Sequence, residues 1–321
     1  MKDKHKQILI NTLKIALATI SAILLASCLH LENIYSAGIV AILSIQPTKK
    51  ETLSTALSRC LAFILALIIA WFSFQTIGYN EKGFYLYILL FILVCQYFRW
   101  YSAMALDSVI ILHFISFGNM ALPALFNEIG IFTIGIALGI AANLHLHKDR
   151  RSITLQTEDI DSQIRNIIRR MADRLLVSDK SDYNGECFQK LSTSLNTAEN
   201  TARRNFANQF GKRDDFDIRY LLMRRRQEFV LMEMYRNLRL INTTPQTVNP
   251  VAAFLQQVSD NYHPENDAAG LIAQLEDLKK MMKQTPLPVN REEFENRAQL
   301  YVLLQQLHNF LTIKYEFRKA A

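Results

Sequence analysis

Residues 44–59 read SIQPTKKETLSTALSR, a string that sets a proline, several hydroxyls and three basic groups between two apolar runs. Pro47 has no backbone N–H, so a nearby carbonyl loses its helical donor, and Gln46 and Thr48 can fill such a gap or face a ligand. Lys49 and Arg59 add fixed positive charge. A broken helix beside cationic groups is how membrane transporters hold anions. The same residues also fit a cytoplasmic loop: a Pro-Thr turn, a helix start, and lysines that set topology. Further on, Asp107 is the acid nearest the middle of an apolar run, and His113 follows six residues later, off the Asp107 face by helical period. A charge at mid-bilayer is costly and faces a partner or a cavity. Asp107 therefore reads either as a proton carrier or as a carboxylate paired with Arg59 or Lys14 to hold helices together. His113 reads either as a second proton-coupling group or as a hydrogen bond between helices.

The elements that must position these groups differ sharply between the two halves of the chain. Residues 1–147 hold nine Lys or Arg and six acids, against totals of 36 and 29 in 321 residues. The first part is therefore solvated by something other than water. Its apolar runs lie at about 8–29, 34–46, 55–77, 84–98, 100–117 and 123–146, and predict six membrane spans. The stretch LLASC at 24–28 resembles a lipoprotein cleavage site, but Lys14 interrupts the apolar run before it and further apolar runs, not a polar mature sequence, follow Cys28. Residues 34–46 make only about 20 Å of helix against a hydrocarbon core of about 30 Å, so this span is short or broken at Pro47. With six crossings, Lys2, Lys4, Lys6, Lys49, Lys50, Arg59, Arg99, Lys148, Arg150 and Arg151 share one side and Lys82 stands alone opposite. That asymmetry predicts both termini in the cytoplasm. Gly135 and Gly139 in the last run, and Ala62 and Ala66 in the third, repeat at four-residue spacing and predict close helix packing.

After residue 147 the pattern turns to amphipathic helix. Ile160, Ile164, Ile167, Met171 and Leu175 recur at helical spacing, as do Phe188, Leu191, Leu195, Ala198, Ala202 and Phe206. Helices are expected over about 214–242, 250–260 and 266–284, with Pro245, Pro250 and Pro264 as breaks. A last helix is capped by Asn290 and carries a stripe of Phe294, Tyr301, Leu304, His308, Leu311 and Tyr315. No segment alternates like a strand. The fold class is all-α: a six-span membrane domain at 1–147, then a soluble antiparallel helical bundle at 148–321. Arg224, Arg225 and Arg226, with Arg203, Arg204, Arg213 and Arg219 nearby, read as a solvated face balanced by Asp214, Asp215, Asp217 and Glu228, or as a surface that meets anions.

Several classes are excluded or unsupported. The four cysteines show no paired spacing, and His145 and His147 point to different sides of a helix, so no disulfide framework and no metal site is indicated. The basic residues are too dispersed for a nucleic-acid footprint. No phosphate-cradling glycine loop, HExxH or nucleophile elbow occurs, which speaks against an enzyme, ATP-driven transport or a cofactor.

The basic start, the SIQPTKKETLSTALSR string, the short spans and the AANL at 141–144 resemble the aromatic acid exporter family, within the fusaric-acid-resistance superfamily of bacterial membrane proteins. The second half is similar to the cytoplasmic helical domain of its Gram-positive-type members. Where the family pattern places glycines after the arginine, this chain has Ala62 and Ala66. The resemblance implies a plasma-membrane exporter of aromatic or related weak-acid anions. Arg59, Gln46, Thr48 and Lys49 would bind the anion, and Asp107 and His113 would couple its exit to protons. Membrane lipids and further copies of the chain are the expected partners, since six short spans rarely enclose a pathway alone. The alternative is a membrane-anchored scaffold or sensor whose helical bundle binds a cytosolic partner.

Overall fold

In the computed structural model, the structure describes residues 2–144, 150–177, 180, 184–209, 214–241 and 248–320, with the side chains of 2–7 and 144 left aside. Among these residues there are twelve α-helices and no strand. The chain divides into two units, one built on α1–α6 and one on α7–α12. The expected boundary at 147/148, His145, His147, Lys148, Arg213 and Pro245 lie outside the described residues.

The first unit comprises α1 (Lys2–Cys28), α2 (Ile34–Ser44), α3 (Lys49–Ile77), α4 (Glu81–Phe98), α5 (Tyr101–Phe117) and α6 (Leu122–Leu144). Thr48 starts α3 by accepting a hydrogen bond from the Glu51 N–H at 3.2 Å, and Asn80 starts α4 by accepting from Gly83. The turn between α3 and α4 requires glycine, because a Cβ on Gly83 would sit 2.3 Å from the Gly78 carbonyl oxygen. Polar contacts between helices gather at two ends of the unit. Lys14, Gln46, Thr52, Ser102 and Asn143 meet at one end, and Glu32, Tyr79, Met120 and Asn127 at the other. All six helices thus run between the same ends in alternating directions.

Their lengths correct the expectation of six spans, the second short or broken at Pro47. Among the described residues, four helices are long and apolar enough to cross a membrane: Ile8–Cys28, Lys49–Ile77, Glu81–Phe98 and Leu122–Asn143. The other two, α2 with 11 residues and α5 with 17, are shorter. At 1.5 Å per residue they reach only about 16 and 25 Å, against a hydrocarbon core of about 30 Å. Asn33 in the left-handed region and the extended Ile45 cut α2 short, while left-handed Gly118 ends α5. The outward faces are aliphatic, with Leu17, Ile64 and Leu93 exposed. An apolar surface of this extent calls for lipid or another chain.

Small residues bring the helices together. Ala62, Ala66 and Ala70 of α3 form a buried stripe against Tyr87, Phe91 and Cys95 of α4. A Cβ on Gly135 would lie 2.5 Å from Val40 Cβ and 2.7 Å from the Ala37 carbonyl, and one on Gly139 would lie 2.6 Å from Ser44 Cβ. Gly135→Ala is accordingly expected to push α2 off α6 and destabilise the unit by about 1–3 kcal/mol. Thermal unfolding in detergent, followed by the fluorescence of Trp71 and Trp100, checks it; an unchanged midpoint would contradict the close approach.

The second unit comprises α7 (Arg150–Leu175), α8 (Glu186–Ala207), α9 (Phe216–Leu238), α10 (Val248–Asn261), α11 (Ala269–Lys283) and α12 (Arg291–Ala320). The isoleucine stripe of α7 is buried against Leu191, Leu195 and Ala198 of α8 and the apolar faces of α9, α10 and α12. Asn290 caps α12 by accepting from the Glu293 N–H at 2.8 Å, as its sequence signature predicts. The buried face of α12 keeps Leu304 and Leu311 of the predicted stripe but is otherwise turned. Phe294, Tyr301 and Tyr315 are exposed, and Leu300, Leu303, Leu307 and Phe310 are buried in their place.

Arg224 overturns the reading of the arginine run as a solvated face, since it is 0% exposed. Its guanidinium forms an ion pair with Asp161 at 2.8 Å, donates to Tyr220, Tyr262 and Gln227, and lies within 5.0 Å of both tyrosine ring centroids. Burial alone would lower its pKa, and the Tyr262, Tyr220 and Asp161 oxygens raise it instead. Lys314, buried over the Tyr262 ring and bonded to the His263 carbonyl, is brought down to about 7 by burial and by the neighbouring Arg224. Arg225 keeps to the surface, paired with Glu199 and Glu228.

Candidate functional site

Arg59 lies on α3, three turns after the Thr48 cap, and is 4% exposed. Its Nε donates to the Ser102 carbonyl of α5 at 3.1 Å, and its Nη1 to Ser44 Oγ of α2 at 3.3 Å. The arginine thus ties three helices together with two of its five N–H groups. No carboxylate lies in contact with it among the described residues. Asp107, on α5, is 0% exposed, and among the described residues neither of its oxygens has a hydrogen-bond partner. The two charges feel each other electrostatically without forming a contact pair. Tyr87 lies beside Asp107 and Ser108, and neither of the two buried hydroxyls donates to the carboxylate. A buried carboxylate with no donor is an expensive arrangement that a structural ion pair would have avoided.

One turn beyond Arg59, Phe63 stacks on Phe132 of α6 with ring centroids 4.1 Å apart. Both rings are 4% exposed.

The remaining predicted residues divide. The Thr48 hydroxyl caps α3 by accepting from the Glu51 N–H, and its carbonyl accepts from the Thr52 hydroxyl. The Gln46 side chain folds back to the Leu43 carbonyl at 3.1 Å, and its own carbonyl accepts from Asn143 at 2.6 Å. Pro47 is exposed and Lys49, the first residue of α3, is half-buried. Lys14 does not pair with Asp107. It donates to Asn143, which also donates to Thr52, so a cation, an amide and a hydroxyl from α1, α6 and α3 meet at the same end as Arg59.

The residue that the sequence reading missed is Glu128 of α6, which is fully buried. Its Oε2 meets His113 Nδ1 at 2.7 Å, and its Oε1 accepts from Asn127 at 2.9 Å. His113 Nε2 lies 3.3 Å from Ser36 Oγ of α2. An acid and an imidazole in hydrogen-bond contact can pass a proton between them, so His113 is not the lone membrane histidine it appears in sequence. The signal was present as an acid six residues inside the last apolar run, but its partner is 15 residues away on another helix. Among the described residues, no group of three or more His, Cys, Asp or Glu side chains converges as a metal site would need.

The family model described as aromatic acid exporter family member 1 matches residues 6–146, and the model of an aromatic acid exporter C-terminal domain matches residues 150–315. The "Uncharacterized protein YqjA" of Bacillus subtilis (strain 168) is 30% identical over 308 residues, covering 96% of this chain and 95% of the relative. A crystal structure described as a membrane protein from Clostridium difficile 630 aligns with 53% of this chain and 98% of its own, at a TM-score of 0.46 and 22% identity.

Proposed function

The chain belongs to the aromatic acid exporter family, and from that premise we propose that it carries aromatic carboxylates or related weak organic anions out across the plasma membrane, driven by proton entry. The observation that carries this reading is Arg59, a buried cation with donors to spare and no carboxylate in contact, one helix away from the unpartnered Asp107. A carboxylate can take the free edge of the guanidinium in a bidentate pair, while the stacked Phe63 and Phe132 offer a wall for an aromatic ring. Gln46, Thr48 and Lys49, at the entrance of the same helix, receive the anion before it reaches Arg59. Such a family is one of transporters rather than of enzymes.

Asp107 takes up the proton, because an acid without a donor is neutral or charged according to what stands near it. Anion at Arg59 and proton at Asp107 then alternate. His113 and Glu128 pass protons at the opposite end. Asp107→Asn, which cannot release a proton, is expected to leave anion binding within about threefold of wild type and to lower acid-driven export by at least about tenfold. Reconstituted vesicles with a pH dye and labelled 4-hydroxybenzoate measure both. Proton flux equal to wild type would remove Asp107 from the mechanism.

Both termini and the second unit face the cytoplasm, a reading supported by the gathering of Lys and Arg at one end of helices that alternate in direction. In a Cys28→Ser background, an impermeant maleimide is expected to label Cys187 in opened cells and not in intact ones. Two or more copies, packed through the exposed aliphatic faces and surrounded by lipid, enclose the pathway.

A further inference from the structure

A surface cavity of about 390 Å³ opens between α7 and α8 of the second unit. From α7, Gln163, Ile167 and Arg170 line it at positions i, i+4 and i+7, hence on one face of the helix. Glu186, Cys187 and Lys190 line it from α8. Arg170 lies against the Cys187 thiol, and neither Arg170 nor Lys190 forms an ion pair among the described residues. With Glu186 on the same rim, the cavity carries one net positive charge.

Its other end is unusual. Gln163 is 8% exposed, and its Nε2 donates to Asp159 at 2.7 Å and to Ser194 at 2.9 Å. The carboxylate of Asp159 accepts only, so the amide orientation is fixed with Oε1 left over. That oxygen is buried and has no hydrogen-bond partner. Gln163 itself lines the cavity, so a small shift of its side chain would let this acceptor, unpartnered among the described residues, take a donor from whatever fills the cavity.

We infer that this cavity binds a small hydroxylated aromatic acid, its carboxylate held by Arg170 and Lys190 and its hydroxyl donating to Gln163 Oε1. Ile167 supplies the apolar floor for the ring. Gln163 and Arg170 are about 10 Å apart along the helix axis, and the long Arg170 side chain closes that distance to the span of a hydroxybenzoate. The anionic group and the hydroxyl follow from the groups in the cavity. The aromatic ring, and the use as a site where the exporter senses its own cargo, rest on the function proposed above.

The test uses the full-length protein in detergent, with N-ethylmaleimide as reporter and the modified cysteines resolved by peptide mass spectrometry. Millimolar 4-hydroxybenzoate is expected to slow modification of Cys187 by at least about fivefold, with exposed Cys28 in the same sample unaffected. Benzoate, lacking the donor, protects less, and 4-hydroxybenzyl alcohol, lacking the anion, does not protect. Burial raises the pKa of the Cys187 thiol and Arg170 opposes that shift, so each variant is compared with and without ligand rather than with wild type. Arg170→Ala and Lys190→Ala lose the protection, and Gln163→Leu protects equally with benzoate and 4-hydroxybenzoate. Unchanged Cys187 rates with every acid, or full protection in Arg170→Ala, overturn the assignment. Export with an unprotected Cys187 would reject this site and leave the exporter reading intact; protection without export would do the reverse.

Discussion

Arg59→Ala is expected to lower export of a hydroxybenzoate by at least about tenfold while the protein still reaches the membrane. A hydrogen bond to a charged group contributes about 1.5–3 kcal/mol, and 1.4 kcal/mol is a factor of ten, so loss of a bidentate anion contact accounts for a fall of that size or more. The substitution also frees the Ser102 carbonyl and Ser44 hydroxyl, which Arg59 now satisfies from the centre of α2, α3 and α5. Some loss of stability is therefore expected with the loss of transport, and the two must be measured together. Arg59→Lys separates them. An ammonium keeps the charge but has no planar fork, so it cannot serve both helices and a carboxylate at once. Thermal stability close to wild type with export still reduced several-fold is the expected result, read from labelled efflux normalised to membrane abundance. Export unchanged in Arg59→Ala would move the anion site to Lys14 and Asn143, where another partly buried cation of the first unit lies.

Arg224→Met destabilises the second unit by about 3–5 kcal/mol, because Asp161 is left as a buried carboxylate without its cation. For a unit of this size each kcal/mol is worth about 2–4 °C, so its unfolding midpoint falls by roughly 6–20 °C. Lys314 limits the loss. Its amine is held near neutral partly by the charge of Arg224, and once that charge is gone it can protonate and partly compensate Asp161. Pairing Arg224→Met with Asp161→Leu removes both charges and recovers most of the stability, as replacement of buried ion pairs by apolar groups commonly does. Hydrogen exchange of peptides from α7, α9 and α12 reads the effect within this unit alone. Equal exchange in wild type and Arg224→Met would mean that the network contributes nothing to the fold.

Legibility in the sequence followed periodicity. The stripes on α7 and α8 were readable because every fourth or third residue is aliphatic, and those residues form the core. Three successive arginines defeat the same method. At 100° per residue they sweep 200° of the helix, so one of them must approach the interior, and only its partners on other helices select which. Asp161, Tyr220 and Tyr262, which select Arg224, are spread over about 100 positions. The spans show a second limit. The apolar runs at 34–46 and 100–117 locate α2 (Ile34–Ser44) and α5 (Tyr101–Phe117) closely, but a run marks apolar side chains and not a full crossing, and Asn33, Ile45 and Gly118 leave both helices shorter than a span. At the candidate site, Arg59 and Asp107 stood out because charge is rare in such segments. Glu128 was just as rare, yet its meaning depends on His113, and no local pattern joins them.

Retention of labelled 4-hydroxybenzoate in preloaded cells tests the central claim most directly, comparing empty vector, wild type and Arg59→Ala with and without an uncoupler. Faster loss of label that requires wild-type protein, Arg59 and the proton gradient is the predicted result. Equal loss from all strains over several aromatic acids, with the protein confirmed in the membrane, would contradict it and favour a membrane-anchored scaffold.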